Sequence, residues 1–337
     1  MMNIFFAIPS PQIAVTIVVL VLLYFNCTYA SLSSLKNKEG DSISHDANEW
    51  RDVSFPSRSP SVHNTLKRYQ YHFHHRYHGH QRGNEIVNIE HAMLEQEGLQ
   101  KLVESLEMYK RGEDLKGSPF DDIYVTYRVH HDLVHNTDGM GEKEKYFIGM
   151  NALRILGKKF IVYAAGVDNK PEFENYMATE LNTSVFAFDC TNQNKPEWSN
   201  FSFFPWCIGA KKDFGKNNGY SQASVNKEFE FYSLGEIKKK MNHTHIDMLK
   251  MDIEGCEWDV LISLLESKDE DLPGQLLFEL HTEGANPKSV PPHIVAGRRR
   301  QKVTQLIYDL YLRNYRVMHI EVNNGDHHCA EIALVRI

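Results

Sequence analysis

From residue 146 onward the sequence alternates short apolar runs with segments whose apolar residues have helical spacing. The runs are too short for typical helices, and their aliphatic and aromatic residues favour buried strands. Strands that alternate with helices in this way indicate βαβ units and a parallel sheet. The runs are Lys159–Gly166, Ser184–Asp189, Phe203–Gly209, Ile246–Asp252 and Leu276–His281.

The end of the chain departs from this alternation. Tyr315–Val322 and His328–Ile337 enclose Asn323-Asn324-Gly325-Asp326, a sequence typical of a hairpin turn. The sequence therefore predicts an α/β fold, in which a doubly wound, mostly parallel Rossmann-like sheet ends in a C-terminal antiparallel hairpin.

The N-terminus indicates a targeting segment. No charged side chain occurs before Lys36, and Ile13–Phe25 is apolar apart from one threonine. This run has signal-peptide length, and Thr28 and Ala30 fit the small-x-small cleavage pattern. Residues 1–30 are expected to be either a cleaved signal peptide or a type II signal anchor. Both place the rest of the chain in the lumen of the secretory pathway, as a secreted or a single-pass membrane protein.

Glycan and disulfide patterns are consistent with that compartment. Asn182, Asn200 and Asn242 each begin an Asn-x-Ser/Thr triplet, so they are candidate N-glycan sites. Four cysteines follow the targeting segment, and they can form two disulfides in any of three pairings. Alternatively, they are small buried apolar side chains. These cysteines are Cys190, Cys207, Cys256 and Cys329.

Residues 31–120 are interpreted as a stem or linker, and residues 121–337 as the folded domain. The stem is rich in polar residues, and its histidine-rich stretch 72–80 is better explained as a solvated linker than as a metal site. Leu99, Leu102 and Leu106 have helical spacing, which predicts a helix near 86–111. The formal net charge is −7, so no global basic field recruits nucleic acid as a partner.

The first two strands of the domain end in residues suited to a nucleoside. In open α/β sheets, ligands bind at the carboxyl ends of strands near the topological switch point. Ala165 and Gly166 close the first strand, and a glycine there lets the backbone approach a ligand. Asp189 ends the second strand, where a carboxylate can accept both ribose hydroxyls. Because no G-x-G-x-x-G is present, the pattern favours a nucleoside without a pyrophosphate, such as S-adenosylmethionine.

The fourth run contains the most specific motif. Between Leu249 and Glu257 the chain reads L-K-x-D-x-E-G-x-E. This resembles the hallmark of the FkbM-type S-adenosylmethionine-dependent methyltransferases, in their animal methyltransferase-like branch. Phe160–Asp189 is similar to the first two strands of that family, and Leu276–His281 is similar to its strand ending in E-x-H. The resemblance covers roughly residues 146–337 and implies a class I methyltransferase fold, S-adenosylmethionine as cofactor and an oxygen acceptor.

Three residues at adjacent strand ends are candidate catalytic groups. Methyl transfer to a hydroxyl needs an aligned acceptor and usually a base for its proton. Asp252 and Glu254 follow the fourth strand, where one can hold polar groups and the other can serve as the base. His281 ends the fifth strand and is the easier base near neutral pH. The competing interpretation is that Glu254 and Glu257 only stabilise a helix N-terminus. No metal is predicted.

The sequence thus predicts a secretory-pathway methyltransferase that O-methylates a sugar or another small hydroxyl-bearing acceptor. Its expected partner is a small molecule or a glycan. Two alternatives stay open. One is a lumenal glycosyltransferase in which Asp252 and Glu254 form a metal-binding acidic pair. The other is a non-catalytic binding protein on the same fold.

Overall fold

A computed structural model of the chain describes residues 84–127, 132–134, 145–167, 171–192, 194, 196, 199–210 and 229–337. All of these residues belong to one compact unit. The predicted targeting segment and the histidine-rich stretch lie outside the described residues. Within the described ranges no helix is both long and apolar enough to cross a bilayer.

The strands of the described part are short, and most lie where apolar runs occur in the sequence. They are β1 (Asp132–Val134), β2 (Lys145–Phe147), β3 (Ile161–Ala165), β4 (Ser184–Phe188), β5 (Ser202–Phe204), β6 (Trp206–Ile208), β7 (Glu230–Tyr232), β8 (Met248–Met251), β9 (Gln275–His281), β10 (Tyr315–Val322) and β11 (Cys329–Arg336).

The main sheet of the described part has seven strands in the order β5-β4-β3-β8-β9-β11-β10. Strands β3, β4, β5, β8 and β9 are parallel to their neighbours within this group. Strand β11 is antiparallel to β9, and β10 is antiparallel to β11. This confirms the predicted doubly wound sheet with a C-terminal antiparallel hairpin. The direction of winding reverses between β3 and β8, which is therefore the switch point.

The third predicted strand is divided in the structure. β5 belongs to the main sheet, whereas β6 pairs in parallel with β7 in a separate two-stranded sheet. Pro205 lies between them and has no N–H to donate to a ladder, which explains why one continuous strand does not form. β1 and β2 form a further antiparallel pair.

Helices cover the sheet, with their apolar faces directed to the core. In α5, for example, Trp258, Leu261 and Leu264 are buried in the main hydrophobic cluster. The helices are α1 (Asn84–Lys110), α2 (Met150–Leu156), α3 (Glu172–Thr179), α4 (Leu234–Lys240), α5 (Glu257–Glu266) and α6 (Arg300–Leu312).

Helix α1, where the sequence predicts a helix near 86–111, packs on the domain. Leu102 is buried in the same core cluster as Phe120. Asp122 accepts hydrogen bonds from the Tyr109 hydroxyl of α1 and from the Arg300 guanidinium of α6. The expected boundary at residue 121 therefore does not coincide with a change in packing.

One disulfide, Cys190–Cys207, is present in the described part of the chain. It ties Cys190, the second residue after β4, to Cys207 in β6. Cys256 and Cys329 are buried thiols. The structure thus selects one bridge, where the sequence left three pairings of two bridges open.

Candidate active site

The turn after β3 is built around Gly166. This residue has φ +75°, and a Cβ atom placed on it would lie 1.7 Å from the backbone oxygen of Asp252. The Asp252 N–H donates to the carbonyl of Ala165 at 3.0 Å, so the chain segments after β3 and β8 touch. Only glycine fits such an approach. Ala165 is itself buried in the core, and its role as a cofactor contact stays a prediction.

A buried lysine stabilises the turn at Gly166. Lys250 of β8 is fully buried, and its ammonium donates to the Gly166 carbonyl at 2.7 Å. The same ammonium lies 3.4 Å from Glu174 of α3, a carboxylate that is also buried. A buried charge needs such a partner, because desolvation is expensive for an isolated ion. Lys250 thus links β8, α3 and the glycine turn.

Asp189 lies beside this turn. Its Oδ2 accepts a hydrogen bond from the Val167 N–H at 3.0 Å. Its Oδ1 accepts from the Thr191 N–H at 2.9 Å, from the Thr191 hydroxyl at 2.6 Å and from the Asn192 N–H at 3.1 Å. Since a carboxylate has about four acceptor positions, Oδ2 retains one for a hydroxyl donor. The half-buried Asp189 therefore fits a ribose, and it lies next to Gly166 as the sequence predicts.

Four candidate groups converge at the carboxyl ends of β8 and β9. Asp252, Glu254 and His281 each offer a ligand atom, and these atoms lie within 4.8 Å of one another. His281 is 3% exposed, and its Nε2 lies 3.5 Å from Oε2 of Glu254 and 3.6 Å from Oε2 of Glu279. The structure thus brings the three predicted catalytic residues together, with Glu279 as a fourth member.

Asp252 and Glu279 shift each other's pKa. Burial raises the pKa of the Glu279 carboxyl, and the Asp252 charge raises it further. Burial also opposes ionisation of Asp252, but the charges of Lys145, His281 and Lys250 outweigh it and hold its pKa below the usual range. Asp252 is therefore the member of the pair that ionises more readily.

Both Glu254 and His281 bind a proton more tightly than the isolated side chains do. Burial, aided by the charge of Asp252, raises the pKa of Glu254 to about 7. Burial opposes protonation of His281, yet the charge of Glu257 and the contacts with Cys329 and Asp252 hold its pKa well above its ordinary value. A protonated imidazole cannot accept a proton. Glu254 is therefore a better candidate for the base near neutral pH than His281.

Sequence reasoning missed Lys145 and Glu331. Their side chains form an ion pair at 2.5 Å and are 2% and 6% exposed. Lys145 is the largest favourable charge acting on Asp252. Lys145 lies in the short strand β2, outside the alternating pattern, and its partner lies in β11. The sequence holds one signal for Lys145, which is its position directly before the apolar stretch Tyr146–Ile148.

Two sets of side chains in the described residues have the donor types of a metal site. One set is Asp252, Glu254 and His281, and the other is Glu279, His281 and Cys329. Both could ligate a divalent cation by chemistry alone. The expectation that no metal is used stays a prediction.

Comparison with known families gives an independent result. A sequence profile described as a methyltransferase domain matches residues 130–336. The chain belongs to this methyltransferase family. At the level of the domain, the predictions of a methyltransferase and of S-adenosylmethionine as its cofactor are confirmed. The FkbM-type assignment stays a prediction.

Two curated relatives match shorter segments. The rat "Probable methyltransferase-like protein 24" is 33% identical over 89 residues, which cover 26% of this chain and 23% of the relative. The human protein of the same name is 44% identical over 48 residues, which cover 14% of this chain and 13% of the relative. The matched segments thus span less than a quarter of either relative.

Solved structures give weaker likenesses. The TrmK protein of M. capricolum, solved with S-adenosyl-homocysteine, is 15% identical with a TM-score of 0.28, covering 56% of this chain and 67% of its own. The fibrillarin pre-rRNA processing protein of Methanococcus jannaschii is 10% identical with a TM-score of 0.32, covering 61% and 83%. Because these scores carry no argument about function, the fold assignment rests on the strand order itself. Exclusion of nucleic acid as a partner stays a prediction.

Proposed function

We propose that this protein is an FkbM-type, S-adenosylmethionine-dependent O-methyltransferase of the secretory pathway. Its acceptor is a hydroxyl of a sugar or of another small polar molecule. The observation that carries the proposal is a carboxyl group with a pKa of about 7, Glu254, at the switch-point edge of a methyltransferase-family sheet. A base works best when its pKa lies near the operating pH.

The cofactor side of the site is formed by the ends of β3 and β4. When bound, S-adenosylmethionine supplies a methyl group made electrophilic by a sulfonium. Asp189 would accept a ribose hydroxyl at Oδ2, and the Gly166 turn lets the backbone come close. The ionised Asp252 next to this turn favours a positive charge.

The acceptor side is formed by Glu254 and the groups around it. About a third of the Glu254 side chain is exposed, so an acceptor can reach it. Its Oε2 is buried beside His281 Nε2 and accepts no hydrogen bond from the described residues. In the proposed step, ionised Glu254 would take the proton of the acceptor hydroxyl as that oxygen bonds to the methyl carbon. The bond between the methyl carbon and the sulfonium sulfur would break at the same time, and its electron pair would stay on sulfur, so that the cofactor leaves as a neutral thioether. Protonated His281, 3.5 Å away, stabilises the carboxylate before the transfer.

Transfer of labelled methyl groups from S-adenosylmethionine tests this proposal. The full chain is incubated with a panel of glycans and hydroxyl-bearing metabolites, and with matched amines in place of the hydroxyls. We expect label in a hydroxyl acceptor and none in its amine counterpart. Label confined to amines would overturn the O-methyltransferase assignment.

Binding measurements separate the two alternatives. A glycosyltransferase would be stabilised against heat by a UDP-sugar with Mn²⁺, and the proposed enzyme by S-adenosylmethionine. A non-catalytic protein would show no transfer to any acceptor, whatever its affinity for the cofactor in calorimetry. Either result would contradict the proposal.

The disulfide supports an oxidising compartment. Cys190 and Cys207 are 17 residues apart in sequence, and closing a loop of this size stabilises a fold by about 2–3 kcal/mol. We expect the double variant Cys190→Ser, Cys207→Ser to lose that much free energy of unfolding in denaturant titrations. A reducing agent should destabilise the wild-type protein and leave the double variant unchanged. Equal stability of wild type with and without reductant would contradict the bridge.

The three glycan triplets differ in the exposure of the hydroxyl residue that completes each of them. Asn200 and Asn242 are exposed, as are the hydroxyl residues Ser202 and Thr244 that complete their triplets. In the third triplet, the Ser184 hydroxyl donates to the Lys158 carbonyl. We expect the protein from animal cells to lose mass on glycosidase treatment, with Asn200→Gln and Asn242→Gln each removing one glycan. A product without glycans would count against the secretory pathway.

A further inference from the structure

We propose that Glu257 is a positioning residue that holds the base Glu254 and the imidazole of His281 in their working arrangement. The inference rests on the proposed function, since it takes Glu254 as the group that receives the proton. Glu257 is fully buried, so it cannot touch an acceptor itself. It acts through the two groups that can.

The Glu257 carboxylate fixes the backbone on both sides of Glu254. Its Oε1 accepts from the Ile253 N–H at 2.7 Å, and its Oε2 accepts from the Gly255 N–H at 2.9 Å. The residue between these two amides is Glu254, which has φ +54°. A glutamate rarely adopts this left-handed conformation, because its Cβ approaches the following carbonyl. The two hydrogen bonds therefore define where the Glu254 side chain leaves the chain.

These contacts differ from those of a helix cap. A capping side chain precedes the helix and accepts from N–H groups of the first helical turn. Glu257 is the first residue of α5, and both of its backbone donors precede it in the turn after β8. Its carboxylate thus holds the catalytic turn rather than the helix end. This argues against the simple stabilising role that the sequence left open.

Glu257 also orients His281. Oε1 of Glu257 lies 3.3 Å from Nδ1 of the imidazole. The neighbouring residue Trp258 donates from its indole Nε1 to the His281 carbonyl at 2.7 Å, which holds the backbone of the same residue. With Nδ1 engaged by Glu257, the opposite nitrogen Nε2 faces Glu254. One carboxylate therefore aligns both members of the Glu254–His281 pair.

The turn has little room to adapt if the carboxylate is lost. A Cβ atom on Gly255 would come within 2.8 Å of Val295 and 3.1 Å of Ile294, so the loop above packs tightly on the turn. Loss of a Glu257 acceptor would leave a buried N–H unsatisfied. We therefore expect the effect to appear as a displaced Glu254 and not as a relaxed, equivalent site.

The test compares Glu257→Gln with Asp259→Asn. Glutamine has the shape of glutamate but only one acceptor oxygen, so it cannot serve both amides. Asp259 is an acid in the same first turn of α5, and its amide variant controls for any general effect of charge at the helix N-terminus. We expect Glu257→Gln to lower kcat about 30-fold or more, with KM for S-adenosylmethionine within twofold of wild type. Asp259→Asn should keep near wild-type kcat.

A spectroscopic readout distinguishes positioning from stability. Five side chains face His281 and influence its pKa: Asp252, Glu254, Glu257, Glu279 and Cys329. Removal of the Glu257 charge alone should lower the pKa of His281 in NMR titrations, with the resonance assigned through His281→Gln. In the wild-type protein, the Ile253 and Gly255 amide protons should be protected from exchange. This second measurement needs no variant to fold.

The outcomes separate this inference from the proposed function. If wild type transfers methyl and a folded Glu257→Gln keeps kcat and the His281 pKa, the positioning role is wrong and the function stands. If wild type transfers no methyl, the proposed function fails. The amide-exchange and His281 measurements then still decide whether Glu257 holds the turn and the imidazole. Rapid exchange of both the Ile253 and the Gly255 amide protons in wild type would contradict their hydrogen bonds to Glu257 and overturn the inference.

Discussion

Replacement of Glu254 by glutamine is expected to lower turnover about 100-fold or more, because the amide cannot take up the acceptor proton. The substitution preserves size and the contacts of the turn, so cofactor affinity and the unfolding midpoint should stay close to wild type. Initial rates with labelled cofactor and calorimetric titration measure the two properties separately.

The pH dependence of kcat/KM tests whether Glu254 acts as the base. A base works in its ionised form, so kcat/KM of the wild-type protein should rise with pH through about 7, where burial places the pKa of Glu254. The residual activity of Glu254→Gln should lack this rise. An ascending limb near pH 4.5 in wild type would show that the buried carboxyl is not the group being titrated.

Matched variants guard this prediction against general effects. Glu266→Gln removes the same charge from an exposed position at the end of α5 and should leave turnover unchanged. His281→Gln and Asp252→Asn test the other two groups of the cluster. If Asp252→Asn, Glu254→Gln and His281→Gln all keep near wild-type turnover, the site lies elsewhere, although membership of the family is unaffected.

Replacement of Gly166 by alanine should have the largest effect on the fold. The left-handed conformation costs an alanine about 1–2 kcal/mol, and the contact of its Cβ with the Asp252 backbone forces two strand ends apart for about another 1–3 kcal/mol. We expect the free energy of unfolding to fall by about 3–5 kcal/mol in total. Cofactor binding should be lost as well, because the turn after β3, which contacts Asp189 through the Val167 N–H, would move.

Gly112→Ala is the control for this change. Gly112 has φ +79°, close to that of Gly166, but a Cβ atom there would meet nothing within 4 Å. Its replacement should cost only the conformational part, about 1–2 kcal/mol, and leave cofactor affinity intact. If both variants lose the same stability, the close approach of β3 and β8 makes no energetic contribution of its own.

The sheet could be predicted from sequence because the central parallel strands β3, β8 and β9 are buried on both faces and so appear as continuous apolar runs. The prediction was wrong where a local feature interrupted a run, as Pro205 does between β5 and β6. The pairing of Cys190 with Cys207 was not predictable, because four cysteines are compatible with several connections.

The residues of the candidate site could be predicted from the sequence, but their pKa shifts could not. Asp252, Glu254 and His281 follow adjacent strands, and the carboxyl ends of parallel strands meet at one edge of the sheet. The proton affinities depend on Lys145 and Glu257, whose effects come through space. No local pattern reveals that the pKa of His281 is held well above its ordinary value while that of Glu254 is raised to about 7.

The packing of α1 bears on how the protein can be shortened for laboratory use. The segment matched by the family begins at residue 130, yet Leu102 and Phe120 belong to the main core, and Asp122 binds the first turn of α6. A chain trimmed to the matched segment would present an apolar surface to water and leave Arg300 without its buried acid. Recombinant fragments intended for crystallisation or kinetics should therefore retain α1 from Asn84, since shorter ones are expected to aggregate.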